Sequence, residues 1–294
     1  MDIKRLRILR EFADRGSIGA VAAAMHLTPS AVSQQLKVLS KEVGVEVLEP
    51  IGRNVRLTDA GQALVLRADT IIAAVDHATD EMRAYRGGST PVRLASFPSG
   101  AALLLPRVLP WARADGVTVL ASELDVGYLE APKALADNHI VVTHRDVRAA
   151  TMSDARVAVT ELAREPIDVV VSRNSAFAQH DSVDAGDLAD SDWISVEGGF
   201  PVDDVLLSVA AVTGVQPRVT QRLLNFDTIE ALVAAGEGIA LMPRYVIRNP
   251  GVKPLVLNGV RAARVYEALT RPDPSASVSR VVEHLRAAAR FAAG

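Results

Sequence analysis

Over the first 88 residues the apolar positions recur at helical spacing, with one interruption. Leu6, Leu9, Phe12 and Ala13 fall on one face of a first helix, and Gly16 stands where a left-handed helix end is expected. Ser17 is placed to cap a second helix over 18–25, in which Val21, Ala22 and Ala24 are small enough for a neighbour to approach closely. After the tight turn His26-Leu27, Thr28 caps a third helix that begins at Pro29, where a missing N–H costs nothing. Val32, Leu36 and Leu39 form its buried stripe, and Ser30, Ser33, Gln34 and Lys37 form the other face. Past Gly44 the period changes. Residues 45–48 and 55–57 flank Pro50-Ile51-Gly52-Arg53-Asn54, which predicts a β-hairpin with a basic tip. From Thr58 the helical pattern resumes to Tyr85, with Leu64, Ala68, Ile71, Val75, Ala78, Met82 and Tyr85 spaced alternately by four and three. That heptad seam predicts pairing with a second copy along a helix of roughly 40 Å. The competing expectation is that the stripe packs on the chain's own second domain.

Arg86-Gly87-Gly88-Ser89-Thr90-Pro91 reads as a linker, because two glycines and a proline cannot continue a helix. Beyond it, short β-branched runs at 92–95, 117–120, 140–142 and 167–171 alternate with helical stretches. This is the α/β rhythm. Strand, helix and strand recur on both sides of about residue 162, with further strands at 193–196 and 219–224, a helix over 229–235 capped by Asp227 or Thr228, and chain crossings near 162–166 and 265–269. A final helix buries Val278, Val281, Val282, Leu285 and Ala289. The expected organisation is a helical head with a hairpin over 1–60, a connecting coiled-coil helix over 61–88 and a two-lobed domain over 89–294. Lobe I would hold 91–162 and 267–294, and lobe II 163–266.

Composition narrows the chemistry. With 49% hydrophobic and 23% charged residues, the 294-residue chain is too apolar for long disorder. The absence of cysteine excludes disulfides, thiolate zinc sites, iron–sulfur clusters and cysteine nucleophiles. Lys4, Arg5, Arg7 and Arg10 are followed by no signal-like apolar run, and no stretch reaches the ~20 apolar residues of a membrane span, so a cytoplasmic protein is expected. The net charge of -3 divides unevenly: residues 1–88 carry twelve Lys and Arg against eleven Asp and Glu. That bias toward nucleic acid is weak and needs positional support. It comes from the third helix, whose Ser30, Ser33, Gln34 and Lys37 face is short and donor-rich, as side chains meeting base edges must be. Lys4, Arg5 and Arg7 fit phosphate contact or a solvated face equally.

In the second domain, Ser99, Thr143, Glu197, Asn225 and Phe226 stand at predicted strand ends, where open α/β sheets bind ligands. For each, loop capping competes with ligand contact. His144, Arg145 and Asp146 follow the strand at 140–142 and read as a solvated polar group rather than a metal or catalytic set. No HExxH, G-x-S-x-G, P-loop or dinucleotide fingerprint is present, and the six histidines are scattered, so no catalytic residues, metal or cofactor are expected.

The blocks Ala22-Ala23, Leu27-Thr28-Pro29-Ser30-Ala31-Val32-Ser33-Gln34-Gln35-Leu36 and Leu57-Thr58-Asp59-Ala60-Gly61 resemble the winged helix-turn-helix of LysR-type transcriptional regulators. Leu232-Val233-Ala234-Ala235-Gly236-Glu237-Gly238-Ile239-Ala240-Leu241-Met242-Pro243 resembles the periplasmic-binding-protein-like (type 2) effector domain of the same family. The chain departs from that pattern at Leu39-Ser40, where relatives commonly have Leu-Glu, and at Val47-Leu48-Glu49-Pro50, where they have Leu-Phe-x-Arg. The resemblance implies an α+β multidomain regulator. Thr28, Pro29, Ser30, Ser33 and Gln34 would read double-stranded DNA, with Lys37 beside them and Arg53 on the wing. It implies inverted half-sites, a homodimer or dimer of dimers, and a small-molecule effector between the lobes, with RNA polymerase as a further candidate partner. A cytoplasmic small-molecule-binding protein or enzyme on the same two-lobed fold is the alternative, and the helical front of the chain argues against it.

Overall fold

A computed structural model describes residues 1–85 and 90–293. The linker expected at 86–91 therefore lies largely outside the described residues. The head comprises α1 (Ile3–Arg15), α2 (Ile18–Ala24), α3 (Pro29–Val43), the antiparallel hairpin β1 (Leu48–Ile51) and β2 (Asn54–Leu57), and the start of α4 (Asp59–Ala84). Its boundaries follow local chemistry. Ser17 Oγ and Thr28 Oγ1 each accept a backbone N–H three residues on, both at 3.2 Å, and Gly16 closes α1 with φ 73°. The hairpin ladder starts at Leu48, three residues later than expected, because Val47 is drawn into the core and its N–H donates to the buried Ser40 Oγ at 3.2 Å.

Leu6, Leu9, Phe12, Val21, Val32, Leu36 and Leu39 form the head core, and Val65, Ala68 and Ile72 of α4 complete it. This corrects the seam at its beginning. Ala68 is fully buried in the head and Leu64 half-buried against it, whereas Ile71, Val75, Ala78 and Met82 remain exposed. Gly61 makes the junction possible, because a Cβ there would stand 2.1 Å from the Val47 carbonyl oxygen. The wing backbone crosses the first turn of α4 too closely for any side chain.

The second domain continues with β3 (Val92–Ser96), α5 (Pro98–Ala114), β4 (Val119–Glu123), β5 (Ile140–Asp146), β6 (Ala158–Ser172), β7 (Ser182–Asp184), β8 (Asp192–Ser195), α6 (Pro201–Thr213), β9 (Arg218–Arg222), α7 (Phe226–Ala235), β10 (Ile239–Pro243), β11 (Val252–Asn258), β12 (Ala263–Thr270) and α8 (Ala276–Ala293). Lobe I is built on the order β4-β3-β5-β12-β6, and lobe II on β6-β10-β8-β9, with β11 beside β6 and β7 beside β11. The strand β6 belongs to both. Its residues from Ala158 to Pro166 pair with β12, and those from Ile167 onward pair with β10 and β11.

Several expectations shift. The second crossing comes before β12, because Val265 to Thr270 pair with β5 and Tyr266 is buried in the lobe I core; Tyr266 is thus not a lobe II residue. Likewise Ala163 and Glu165 pair with β12 on the lobe I side, so β6 enters lobe II at Ile167. The strand expected at 117–120 begins at Val119, since the Val117 N–H donates to Ala112 O at 2.8 Å and finishes the end of α5. The last shift is chemical. His144, Arg145 and Asp146 do not form a solvated surface group; they are the buried end of β5, paired residue by residue with β12.

Candidate functional site

The first two turns of α3 leave the head with their side chains outward. Thr28, Pro29, Ser30, Gln34 and Lys37 are exposed and Ser33 is half-buried, while Val32 and Leu36 anchor the helix beneath them. The Thr28 and Ser30 hydroxyls lie 3.0 Å apart, so the helix start presents a linked pair of donors and acceptors. Arg53 occupies the two-residue tip between the paired Ile51 and Asn54, fully outward. Arg5 and Arg7 are otherwise engaged. Arg5 bonds Gln35 at 3.0 Å and Glu42 at 2.6 Å, tying α1 to α3, and Arg7 bonds Asp76 of α4 at 2.6 Å. These arginines serve packing between helices.

In the second domain a cleft of about 370 Å³ opens between the lobes. Three helix starts meet there: Phe97-Pro98-Ser99 of α5, Phe200 and Val202 of α6, and Asn225-Phe226-Asp227 of α7. Helix starts carry unpaired N–H groups and a partial positive charge, which suits an electron-rich ligand group. Of the sequence-derived contacts, Ser99, Asn225 and Phe226 line the cleft. Asn225 is also the helix cap, accepting the Thr228 N–H at 3.1 Å, so the cap falls before Asp227 and Thr228. Thr143 and Glu197 do not line it. Side chains alternate along a strand, so His144 of β5 enters the cleft wall and Thr143 faces away. Val196 lines the cleft and Glu197 points to solvent.

Residue patterns missed the floor of the cleft. Arg264 of β12 is buried, donates from Nε to Glu165 Oε2 at 2.7 Å and reaches the Ser99 hydroxyl at 3.1 Å. Glu165 also accepts the Tyr266 hydroxyl at 2.6 Å and, on Oε1, the Tyr245 N–H at 2.6 Å. One carboxylate thus joins β6, β12 and the turn after β10, directly under the ligand space. Burial, with Glu165 beside it, pushes the Tyr266 hydroxyl above the ordinary tyrosine range and keeps it protonated. His144 packs edge-on to Phe97 with ring centroids 4.2 Å apart and stacks toward Phe200 at 6.2 Å. Burial, with Arg264 nearby, holds the imidazole well below its usual basicity, so it is neutral; its Nδ1 has no hydrogen-bond partner among the described residues. Gly100 is required here, since a Cβ would stand 2.5 Å from the Phe97 ring that roofs the helix start. A repeated signal was visible in the sequence: Phe97-Pro98 and Phe200-Pro201 open corresponding helices in the two lobes.

A reading helix with a wing, a long exposed-stripe helix and a two-lobed domain with a ligand cleft define a regulator that couples a small molecule to DNA. The comparisons with known proteins agree. Residues 3–62 match the bacterial regulatory helix-turn-helix protein, lysR family, and residues 86–290 match the LysR substrate binding domain. The chain belongs to the LysR family of transcription regulators. It is similar to the transcriptional dual regulator GltC of Bacillus subtilis (strain 168), with 26% identity over 83% of this chain and 81% of that protein. It is also similar to the DNA-binding transcriptional dual regulator OxyR of Escherichia coli (strain K12), with 25% identity over 96% of this chain and 89% of that one. Among solved structures, a point variant of full-length OxyR from Pseudomonas aeruginosa shares the fold with a TM-score of 0.67 at 20% identity, covering 99% of this chain and 95% of that one. Full-length CbnR in complex with its target DNA gives 0.55 at 21% identity, covering 98% and 100%. The protein is a ligand-responsive DNA-binding regulator. Among the described residues no helix is long and apolar enough to cross a membrane, and no three His, Asp or Glu gather as metal ligands.

Proposed function

We propose that this regulator works in the cytoplasm, binds inverted half-sites in promoter DNA as a homodimer or dimer of dimers, and signals by binding alone, without catalysis. Thr28, Pro29, Ser30, Ser33, Gln34 and Lys37 enter the major groove, and Arg53 reaches the phosphate backbone from the wing. Ser99, Asn225 and Phe226 hold the effector together with Arg264 and His144. Residues 1–60, 61–88 and 89–294 act as reading head, connecting helix and sensor. The observation that carries this reading is the outward first turns of α3, donor-rich and unobstructed above a fully buried stripe. The names of several relatives refer to hydrogen peroxide; with no cysteine in the chain, thiol oxidation cannot be its signal.

Binding of the purified protein to genomic fragments against random competitor DNA tests the reading. A selected fragment is expected, with Gln34→Ala costing about 1–3 kcal/mol at its position and relaxing base preference there. Equal affinity for selected and random DNA at moderate salt, with metabolites present or absent, overturns it.

A further inference from the structure

A second cavity, of about 510 Å³, lies where α1 and α4 meet lobe I and shares no lining residue with the interlobe cleft. Its wall carries five arginines against four aspartates, and the ion pairs among the described residues leave Arg10 and Arg93 without a carboxylate in contact. Asp14, buried at the same junction, is held by Arg156 at 2.8 Å and by Arg271. Asp69 is engaged by Arg156 at 2.7 Å, Asp76 by Arg7 at 2.6 Å, and Asp80 by the Thr90 hydroxyl. Asp273 is exposed at the rim. Arg10 is left over. It is half-buried on the cavity wall, and among the described residues it has neither an ion pair nor a side-chain hydrogen bond. Burial and the neighbouring Arg271 work against its charge more than Asp69, Asp14 and Glu11 support it. Arg93, on the lobe I side, gives its Nε to the Asp137 carbonyl at 2.5 Å and has no carboxylate partner among the described residues. The backbone N–H of Arg93 donates to His139 Nδ1 at 2.9 Å, which places the ring proton on Nε2 as a free donor. Arg10, Arg93 and His139 line the same cavity; burial and Arg93 hold the imidazole below its usual basicity, while Asp80 and Asp76 act in the opposite sense.

A desolvated cation beside another cation is costly unless an anion accompanies it. We propose that this junction is a second ligand site, taking a small multiply charged oxyanion on Arg10, Arg93 and the His139 Nε2–H. Arg10 belongs to the reading head and Arg93 to the sensor, so the bound anion bridges them. Because Arg271 already holds Asp14 of the head, the ligand adds to an existing clasp.

The test uses the full chain with two probes, citrate and pyrophosphate, each against sodium chloride at matched ionic strength. Calorimetric titration and thermal melting are read together. At least one probe should bind and raise the melting temperature, and the responding probe separates a polycarboxylate from a phosphate ligand. Arg10→Met and, independently, Arg93→Met should each weaken binding by about tenfold or more, as expected for a lost hydrogen bond to a charged group. Arg261→Met, the same charge change at an exposed position, should leave it unaltered. Without anion, Arg10→Met should melt no lower than the parent, since it removes a half-buried charge that holds no ion pair among the described residues. The proposal is overturned if neither probe acts beyond sodium chloride, or if both arginine variants bind as the parent does. A lower melting temperature for Arg10→Met with unchanged anion affinity assigns that residue a structural role and overturns it as well.

Discussion

Glu165 and Arg264 have almost no exposed side-chain surface and lie 2.7 Å apart, yet 99 positions separate them in the chain. Their pairing could not be read from spacing, since neither residue has a local partner that marks it. The same holds for Arg145 and Glu267, buried at 2.8 Å, where Tyr128 adds a hydroxyl at 2.6 Å and is itself pushed up to about 12 by burial and by that carboxylate. Removing one member of such a pair leaves a naked buried charge. Glu165→Gln should therefore destabilise the chain by roughly 3–5 kcal/mol, measured by denaturant unfolding. Exchange of Glu130, which pairs with Lys133 in water, should cost no more than ~1 kcal/mol. A loss below ~1 kcal/mol for Glu165→Gln would show that Arg264 finds another counter-charge. Thr143 and Glu197 illustrate a smaller limit. Each is one position from a residue that does line the cleft, and single-residue parity at a strand end is set by pairing partners the sequence does not display.

At the scale of elements the record is better where the signal is local. The caps of α2, α3 and α4 are side chains bonding backbone three residues ahead, and Ser17, Thr28 and Thr58 announced them. The cap of α7 was misplaced because Asn225, Asp227 and Thr228 are all competent, and only packing chose Asn225. The helix α4 shows what periodicity cannot assign. A heptad stripe says that a face is covered but not by what, and here the beginning serves the head while the later part stays bare. Ile71 is 37% exposed, Val75 40% and Met82 56%, a bare stripe on a helix whose opposite face is already buried. Ile71→Asp should yield monomers in sedimentation equilibrium while leaving the head folded. An unchanged mass would remove this stripe from the dimer contact.

At the scale of the molecule, two histidines occupy places where large parts meet: His139 beside the head and His144 between Phe97 and Phe200. Burial holds both below the ordinary histidine range, with Arg93 reinforcing it for His139 and Arg264 for His144. Below about pH 6.5 the unfolded chain takes up protons that the folded one refuses, so stability is full above that point and falls on acidification. Melting temperatures should drop between about pH 7.5 and 5.5, a window that spans the ordinary histidine value. His144→Gln should flatten the drop; an identical slope would mean that the imidazole is protonated in place. The two-lobed architecture was legible because strand–helix alternation repeats, whereas the attachment of the head to lobe I was not, since Asp14, Asp69, Arg156 and Arg271 come from segments with no mutual pattern. The strand β6 carries a further implication. It runs unbroken for 15 residues through both lobes, so one continuous backbone ties the two halves together. One residue inserted near Pro166 would invert the facing of every lobe II side chain on it, so the length of this stretch fixes which residues of lobe II reach its core.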